Sequence, residues 1–378
     1  MHILFQCNEL PPASCGGIGN FVAQAARSLV AKGHNVTVVG LYDERIDDKD
    51  SPFKVIRLKR IKRLGAIGLI INQVWFHLFI SFYLTFVDRS IDLIEYPDYQ
   101  GFGALHFHGI PFIVRSQSSG FHALGKYYGK PIYKLKYALE WSLQKKSMQR
   151  AKRLIISSRY AQHNIHKYLD TKNSVVIPNF VRREFIESDR INSNNIPKYI
   201  LFYGTVSREK GVCLLIDAFN KLIAENDVSI QLKIVGRPND DLVRRHFNGL
   251  PLNTRNRILF RGWVSTDRLI SLIDSAEIVV FPSFRENMPM SWIEAMSRRK
   301  IIIGSNIPVA KEIITDGETG YLADLTIDNL CHNILRVLSL GRENKLLIEQ
   351  NARAFAYEKY NIENIVNENI SIWNSALC

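Results

Sequence analysis

The chain alternates short apolar runs with longer segments whose apolar residues recur at helical spacing. Ile3–Phe5 is followed by a loop rich in Pro, Ser, Cys and Gly. From about Gly19 to Ala31, Phe21, Val22, Ala25, Leu29 and Val30 then fall on one side of a helix. Gly33 ends that pattern, and Val36–Val39 reads as a buried strand. Strand, loop, helix, strand is the repeating unit of a parallel sheet. Further strands are expected at Leu93–Glu95, Phe112–Arg115 and Leu154–Ser157, with Val175–Ile177 beginning the exit from this half. A polar, aperiodic stretch around residues 189–197 reads as an interdomain linker. A second series follows, with strands at Tyr199–Tyr203, Gln231–Val235, Ile258–Phe260, Ile278–Phe281 and Lys300–Ile303. These are apolar runs rather than alternations, as in sheets covered on both faces. The expectation is an α/β chain of two Rossmann-like parallel-sheet domains, 1–188 and 198–355. A C-terminal helix in 356–378 should pack back on the first domain, and a ligand should sit in a cleft at the carboxyl ends of the strands.

Two segments of the first half stand out. Leu64–Val87 is apolar and long enough to cross a bilayer. It contains Asn72, Gln73, His77, Ser81 and Thr85 and leads directly into a strand, so it reads as a helix covering the sheet. A helix touching a membrane, and a true span, are the alternatives, kept open by the basic run Lys59-Arg60-Ile61-Lys62-Arg63 in front of it. Lys126–Arg153 interleaves cations with Tyr127, Tyr128, Tyr133, Tyr137 and Trp141. That mixture suits a lipid headgroup layer, or equally a solvated helix face with core aromatics.

Composition adds a location for the charge. The 378 residues carry a formal net charge of +13. Through residue 190 there are 27 Lys and Arg against 15 Asp and Glu, and after it 22 against 21. The basic excess thus belongs to the first half and favours an anionic partner there, unless it is a merely solvated surface. The five cysteines are scattered without a C-x-x-C pair, which suggests neither a disulfide framework nor a zinc site. With no signal-peptide pattern at the N-terminus, the expectation is a cytoplasmic protein, peripheral at the inner face of the plasma membrane if the basic half meets lipid.

Candidate chemistry concentrates in Phe281-Pro-Ser-Phe-Arg-Glu-Asn-Met-Pro-Met-Ser-Trp-Ile-Glu-Ala-Met296. A strand ends at Phe281 and a helix is expected to begin near Pro289, leaving its first N–H groups free for a phosphate or sugar hydroxyls. Counted along a helix, Glu286 and Glu294 lie within about 80° of each other and roughly 12 Å apart. Alone, such a pair is equally a helix cap and a solvated residue. In context, Pro-Ser-x-x-Glu-x-x-Pro-x-x-x-x-Glu-Ala-Met resembles the signature of the family 4 retaining glycosyltransferases, whose fold is the two-domain GT-B arrangement. The resemblance implies that Glu286 contacts the donor sugar and Glu294 the nucleotide ribose. It also implies that Asn287, Met288 and Pro289 at the helix start meet the sugar and diphosphate.

Other segments resemble the same family in order and spacing. Cys15-Gly16-Gly17-Ile18-Gly19 is similar to its glycine-rich loop, with Gly17 approaching phosphate or acceptor. Phe202-Tyr-Gly-Thr-Val-Ser-Arg-Glu-Lys-Gly211 is similar to the strand and loop that supply cations to the diphosphate. There Gly204 opens the loop and Lys210 matches the family lysine. Thr205 stands where an arginine is usual, a role that passes to Arg208 or is absent. Phe260-Arg-Gly-Trp-Val264 resembles the segment that holds the nucleobase, Asp316-Gly-Glu-Thr-Gly-Tyr-Leu322 a structural loop, and Ile177-Pro-Asn-Phe180 the exit from the first domain. Two departures stand out. Gln117 occupies the place of a first-domain histidine and cannot titrate, with His122 as a nearby substitute. Ile307-Pro308-Val309-Ala310 replaces a glycine pair before Glu312.

The implied activity is retaining transfer of a sugar from a nucleoside-diphosphate sugar to a glycan or lipid-linked acceptor, as in assembly of bacterial capsule, O-antigen or exopolysaccharide. Lys210, Arg208 and Glu286 would carry the catalytic work. No Asp-x-Asp pair is present, and no metal or other cofactor is expected. Nucleic acid is not an expected partner. The alternatives are an epimerase or phosphorylase on the same fold, and a non-catalytic basic protein binding membrane or nucleic acid with a vestigial donor site.

Overall fold

In the computed structural model the chain forms two compact units, Met1–Asn179 with Ile362–Cys378, and Phe180–Asn361. The structure describes residues 1–13, 16–43, 46–61, 65–117, 131–170, 172–188, 198–238 and 241–377. His122, the expected linker 189–197, and Lys62 and Arg63 of the basic run lie outside the described residues.

The first unit is built on seven parallel strands. They are β1 (His2–Gln6), β2 (Asn35–Tyr42), β3 (Lys54–Lys59), β4 (Leu93–Pro97), β5 (Phe112–Ser116), β6 (Arg153–Ile156) and β7 (Ser174–Val176). Their spatial order is β3-β2-β1-β4-β5-β6-β7, with Ile3 opposite both Val36 and Leu93. The second unit has six parallel strands: β8 (Tyr199–Tyr203), β9 (Gln231–Val235), β10 (Ile258–Gly262), β11 (Ile278–Phe281), β12 (Ile302–Ser305) and β13 (Tyr321–Ala323). Their order is β10-β9-β8-β11-β12-β13. Both sheets are doubly wound, and in each the winding reverses beside the first strand. The crevices at these switch points therefore open between the loops after β1 and β4, and between the loops after β8 and β11.

The division between units falls at Asn179, before the polar stretch expected to be the linker. Residues 180–188 belong to the second unit for a structural reason. Val181 N–H donates to the Tyr360 carbonyl at 2.8 Å, and Arg298 donates to the carbonyls of Phe185 and Ser188. Arg298 is itself fully buried in an ion pair with Asp274. The C-terminal helix runs Ile362–Leu377 and belongs to the first unit. Its Trp373 packs edge-on against Phe5 at 5.8 Å and donates to Glu95 Oε2 at 2.8 Å.

The apolar stretch after β3 is one helix, Gly65–Phe86. Phe76, Ile80 and Tyr83 join the core of the first unit. The stretch thus takes the place of a helix covering the sheet, and among the described residues it is the one helix long and apolar enough to cross a membrane. On the inner side of this helix its His77 meets two further histidines, His106 and His108. His77 pairs with His108 at 3.0 Å and with the Phe102 carbonyl at 2.7 Å, while His106 meets the Tyr96 hydroxyl at 3.0 Å. Burial pulls His77 and His106 down to about 4, and His108 to about 3. Arg150 adds to the effect at His77 and His106, with its guanidinium fixed on the carbonyls of Ala104 and His106. The unfolded chain takes up these protons below its ordinary histidine pKa near 6.5, before the folded chain does. Stability should therefore hold above that pH and fall as pH drops toward 4. His77 alone should account for roughly 2 kcal/mol at pH 5. Urea unfolding at pH 7.5 and pH 5 checks this, and equal midpoints would refute it.

Lys126–Arg153 resolves in part. The helix Pro131–Arg150 is described from Tyr137 onward, with Leu143 and Met148 buried and Trp141 half-buried edge-on to Tyr168. This portion is an ordinary covering helix.

Candidate active site

The switch point of the second sheet positions the residues singled out in the sequence. After β8, the loop 204–211 turns into the helix Val212–Glu225; after β11, the loop 282–289 turns into the helix Met290–Ser297. Gly211 holds the two loops together. Its φ is +73°, and a Cβ there would lie 1.8 Å from the Pro282 carbonyl oxygen. Only glycine, having no Cβ, can combine that left-handed backbone with so close an approach. Phe284 N–H donates to the Glu209 carbonyl at 3.0 Å, closing the contact.

This clamp brings Lys210 to Glu286. Lys210 Nζ donates to Glu286 Oε1 at 2.7 Å, with the lysine side chain one-third exposed and the glutamate 10% exposed. A cation and a carboxylate thus stand together at the mouth of the sheet, with the lysine still partly open to a ligand. Arg208 lies exposed on the same loop, where its carbonyl accepts from Gly211 N–H.

The helix beyond starts at Met290, one residue later than expected, with Pro289 as its N-cap rather than its first turn. No side chain caps it. Asn287 is half-buried beside Glu286, whereas Met288 and Pro289 are buried. The helical angle between Glu286 and Glu294 does not apply, because Glu286 lies in the preceding loop. Glu294 is also no solvated helix residue. It is 4% exposed, and Arg182 Nε donates to its Oε1 at 2.6 Å. Burial alone would lower the Arg182 pKa, but Glu294 outweighs it and the pKa is raised. Arg182 also stacks on Phe185, with its guanidinium 4.4 Å from the ring centre. Behind it, burial with Glu294 nearby pushes the Tyr203 phenol well above its usual value, leaving a neutral donor to the Ser291 carbonyl.

The opposite wall is bare backbone. Gly204 has φ +136° with open space where a Cβ would point. Its carbonyl lies against Gly236, whose N–H donates to the Gly262 carbonyl at 2.7 Å. Val264, half-buried, follows that turn. The ends of β8, β9 and β10 are thereby stacked, and Gly204 and Val264 belong to one rim. Below it Trp292 stacks on Phe281 at 5.9 Å. The substitution of Ile307–Ala310 for glycines is absorbed as packing, since Val309 and Ala310 are fully buried in a short 3₁₀ turn, Pro308–Glu312.

Gly17 and Gln117 belong to the first unit. Gly17 is the exposed first residue of the helix Gly17–Ala31, which begins two residues earlier than its apolar pattern. The amide of Gly19 in that first turn donates to Glu9 Oε1 at 2.9 Å, so a carboxylate occupies part of the place an anion would take. Gln117 follows β5 and donates through Nε2 to Asn179 Oδ1 at 3.2 Å. Among the described residues no group of three His, Cys, Asp or Glu is placed to hold a metal.

Arg182 is the participant that sequence reasoning missed. It sits directly after the Ile177–Phe180 segment, far from Glu294 in sequence. The available signal was the apolar company of Glu294, since a buried carboxylate requires a cation.

The comparisons with known proteins bear on family and fold. The pattern of the family Glycosyl transferases group 1 matches residues 184–355, and that of Glycosyltransferase Family 4 matches residues 15–185. The chain is a group 1, family 4-type glycosyltransferase. Among relatives of this glycosyltransferase, an uncharacterized glycosyltransferase of Methanocaldococcus jannaschii is 24% identical over 98% of this chain and 97% of its own. The lipopolysaccharide 1,2-N-acetylglucosaminetransferase of Salmonella typhimurium is 28% identical over 44% of this chain and 45% of its own. The crystal structure of Anabaena HepE in complex with UDP and glucose superposes with a TM-score of 0.76 and 16% identity, over 99% of this chain and 100% of that one. The fold is GT-B, with two Rossmann-like parallel-sheet domains.

Proposed function

We propose that this glycosyltransferase retains configuration at the transferred sugar, taking it from a nucleoside-diphosphate sugar to a glycan or lipid-linked acceptor in bacterial surface-polysaccharide assembly. The observation that carries the reading is the pair Lys210–Glu286 at the switch point of the second sheet, beside an uncapped helix start. When the bond from sugar to diphosphate breaks, negative charge grows on the leaving oxygen. Lys210, with Arg208 on the same loop, would stabilise it, and the N-terminal dipole of the helix Met290–Ser297 would add to the effect. Glu286 would hold the sugar hydroxyls while the acceptor oxygen bonds to the anomeric carbon from the face the diphosphate leaves, its hydroxyl proton passing to the departing diphosphate oxygen. Glu294, held by Arg182, would take the ribose. The bound UDP and glucose of HepE, and the lipopolysaccharide acceptor in the name of the Salmonella relative, support the donor and acceptor classes.

A thermal-shift panel of UDP, GDP, ADP, CDP and dTDP on the wild type and Glu294→Ala tests the donor site. A diphosphate at 100 times its dissociation constant should stabilise the protein by roughly 2.7 kcal/mol, and the variant should lose most of that. No shift with any diphosphate would overturn the reading. NMR of the anomeric proton in the product tests retention.

A further inference from the structure

We propose that the outer face of the helix Gly65–Phe86 is a docking surface for an anionic lipid bilayer, on which the first unit lies with this helix in the plane of the interface. The helix contains no charged residue. Its polarity is inverted relative to a helix on a water-facing surface. Gln73 and His77 are buried and point inward, donating to or pairing with the backbone at Gln100 and Phe102. Asn72 is tied to Ile61, and Thr85 bonds back to the Ser81 carbonyl. The outward stripe is Ile67, Val74, Trp75, Leu78, Phe82 and Phe86, with exposures from 42% at Trp75 to 74% at Phe86. Phe107, 61% exposed, lies beside it with its ring 5.9 Å from that of His77. Contiguous exposed apolar surface of this kind marks a partner, because water disfavours it.

Charge decides which partner. Asn72 exchanges two hydrogen bonds of 2.9 Å with Ile61, fastening the chain just after the cations Lys59 and Arg60 against the helix. At the other end Arg89 donates to the Thr85 carbonyl, and Lys54 lies 4.9 Å over the Tyr83 ring. The carboxylate at that end, Asp88, is engaged by Ser90. An apolar stripe bracketed by cations matches acyl chains below anionic headgroups. Two copies of this face meeting each other would set the cations at its ends against one another or leave them unmatched. The inference concerns a surface of the first unit and stands apart from the donor site, which lies in the second.

The test is co-sedimentation of the full chain with phosphatidylcholine vesicles, and with vesicles in which a third of the lipid is phosphatidylglycerol. Binding to the anionic vesicles is expected, weakened at least ~tenfold by the double substitution Phe82→Ser, Phe86→Ser. Lys59→Glu should weaken it by at least about fivefold. Glu294→Ala should bind as the wild type does, so a failed donor site and a failed docking surface are told apart. Should the double variant misfold, brominated lipid provides a second measurement: it should quench the fluorescence that Trp75→Phe removes. Absence of binding, or binding indifferent to these changes, overturns the proposal. So does self-association in lipid-free sedimentation that the same double substitution abolishes, which would assign the face to a second copy.

Discussion

Lys210→Ala is expected to lower kcat for sugar transfer by about 10²–10³-fold while leaving the melting temperature almost unchanged. The two halves of this expectation come from different properties of one side chain. In the proposed reaction Lys210 would act as a fixed cation. Its loop is held by the Gly211–Pro282 contact and the Phe284–Glu209 hydrogen bond, and its Nζ is aimed by Glu286 at 2.7 Å. A charge already in position costs no reorganisation when the diphosphate leaves, which is why loss of one such group is worth roughly 3–4 kcal/mol in a transition state. Structurally, the ion pair is one-third exposed on the lysine side, and pairs open to solvent contribute at most about 1 kcal/mol to folding. Lys210→Arg keeps the charge but replaces the compact ammonium beside Glu286 with a planar guanidinium, and should recover only part of the rate. Initial rates with the sugar donor of the diphosphate found in the thermal-shift panel, read beside a thermal melt, settle the matter. A kcat within threefold of wild type would remove Lys210 from catalysis. A raised KM at unchanged kcat would reduce it to ordinary substrate binding.

The parallel strands were legible because a strand covered on both faces must be an apolar run, and such runs end sharply in loops. The two strands that escaped notice are edge strands. Lys54–Lys59 reads Lys-Val-Ile-Arg-Leu-Lys, with charge at both ends and only Leu58 buried, and Tyr321–Ala323 is three residues long. The boundary of the first domain was misplaced for a related reason. Polarity and lack of period mark the start of residues outside regular elements, but they do not say which unit the preceding residues join. That was decided by Arg182, Phe185 and the buried Arg298, through contacts between segments more than a hundred positions apart in sequence. The site divides the same way. Glu286 and Lys210 carry local motifs that single them out, and the structure pairs them; the Arg182 that holds Glu294 has no motif, and only the burial of its partner requires it. The apolar helix Gly65–Phe86 could be placed as a cover for the sheet, but its inward Gln73 and His77 and its outward Trp75 and Phe82 depend on how it is rotated against the core.

The buried knot at the C-terminal helix carries the largest expected effect on stability. Arg115→Ala should destabilise the protein by about 3–5 kcal/mol, because it strands a carboxylate. Glu95 and Arg115 are each 3% exposed. Arg115 Nε donates to Glu95 Oε1 at 2.5 Å, and its Nη2 reaches Glu95 Oε2 at 3.3 Å and the Asn369 side chain. The guanidinium also lies 4.5 Å over the Phe21 ring. Without it, Glu95 keeps only the Trp373 N–H at 2.8 Å against the cost of burying its charge. The pair itself is a different quantity. Replacing both members with groups of similar volume, Glu95→Gln with Arg115→Met, removes the charges together and should recover most of the loss. The helix Ile362–Leu377 enters the same cycle, since Asn369 and Trp373 are its contributions to the knot, and Trp373→Ala combined with Arg115→Ala should fall well short of additivity. Urea unfolding of the five proteins (wild type, Arg115→Ala, Trp373→Ala and the two double variants) measures all of this. A cost below about 1 kcal/mol for Arg115→Ala would mean that Glu95 is reached by water. A double substitution no more stable than Arg115→Ala would show that the Asn369 and Phe21 contacts, rather than the stranded charge, set the energy of the site.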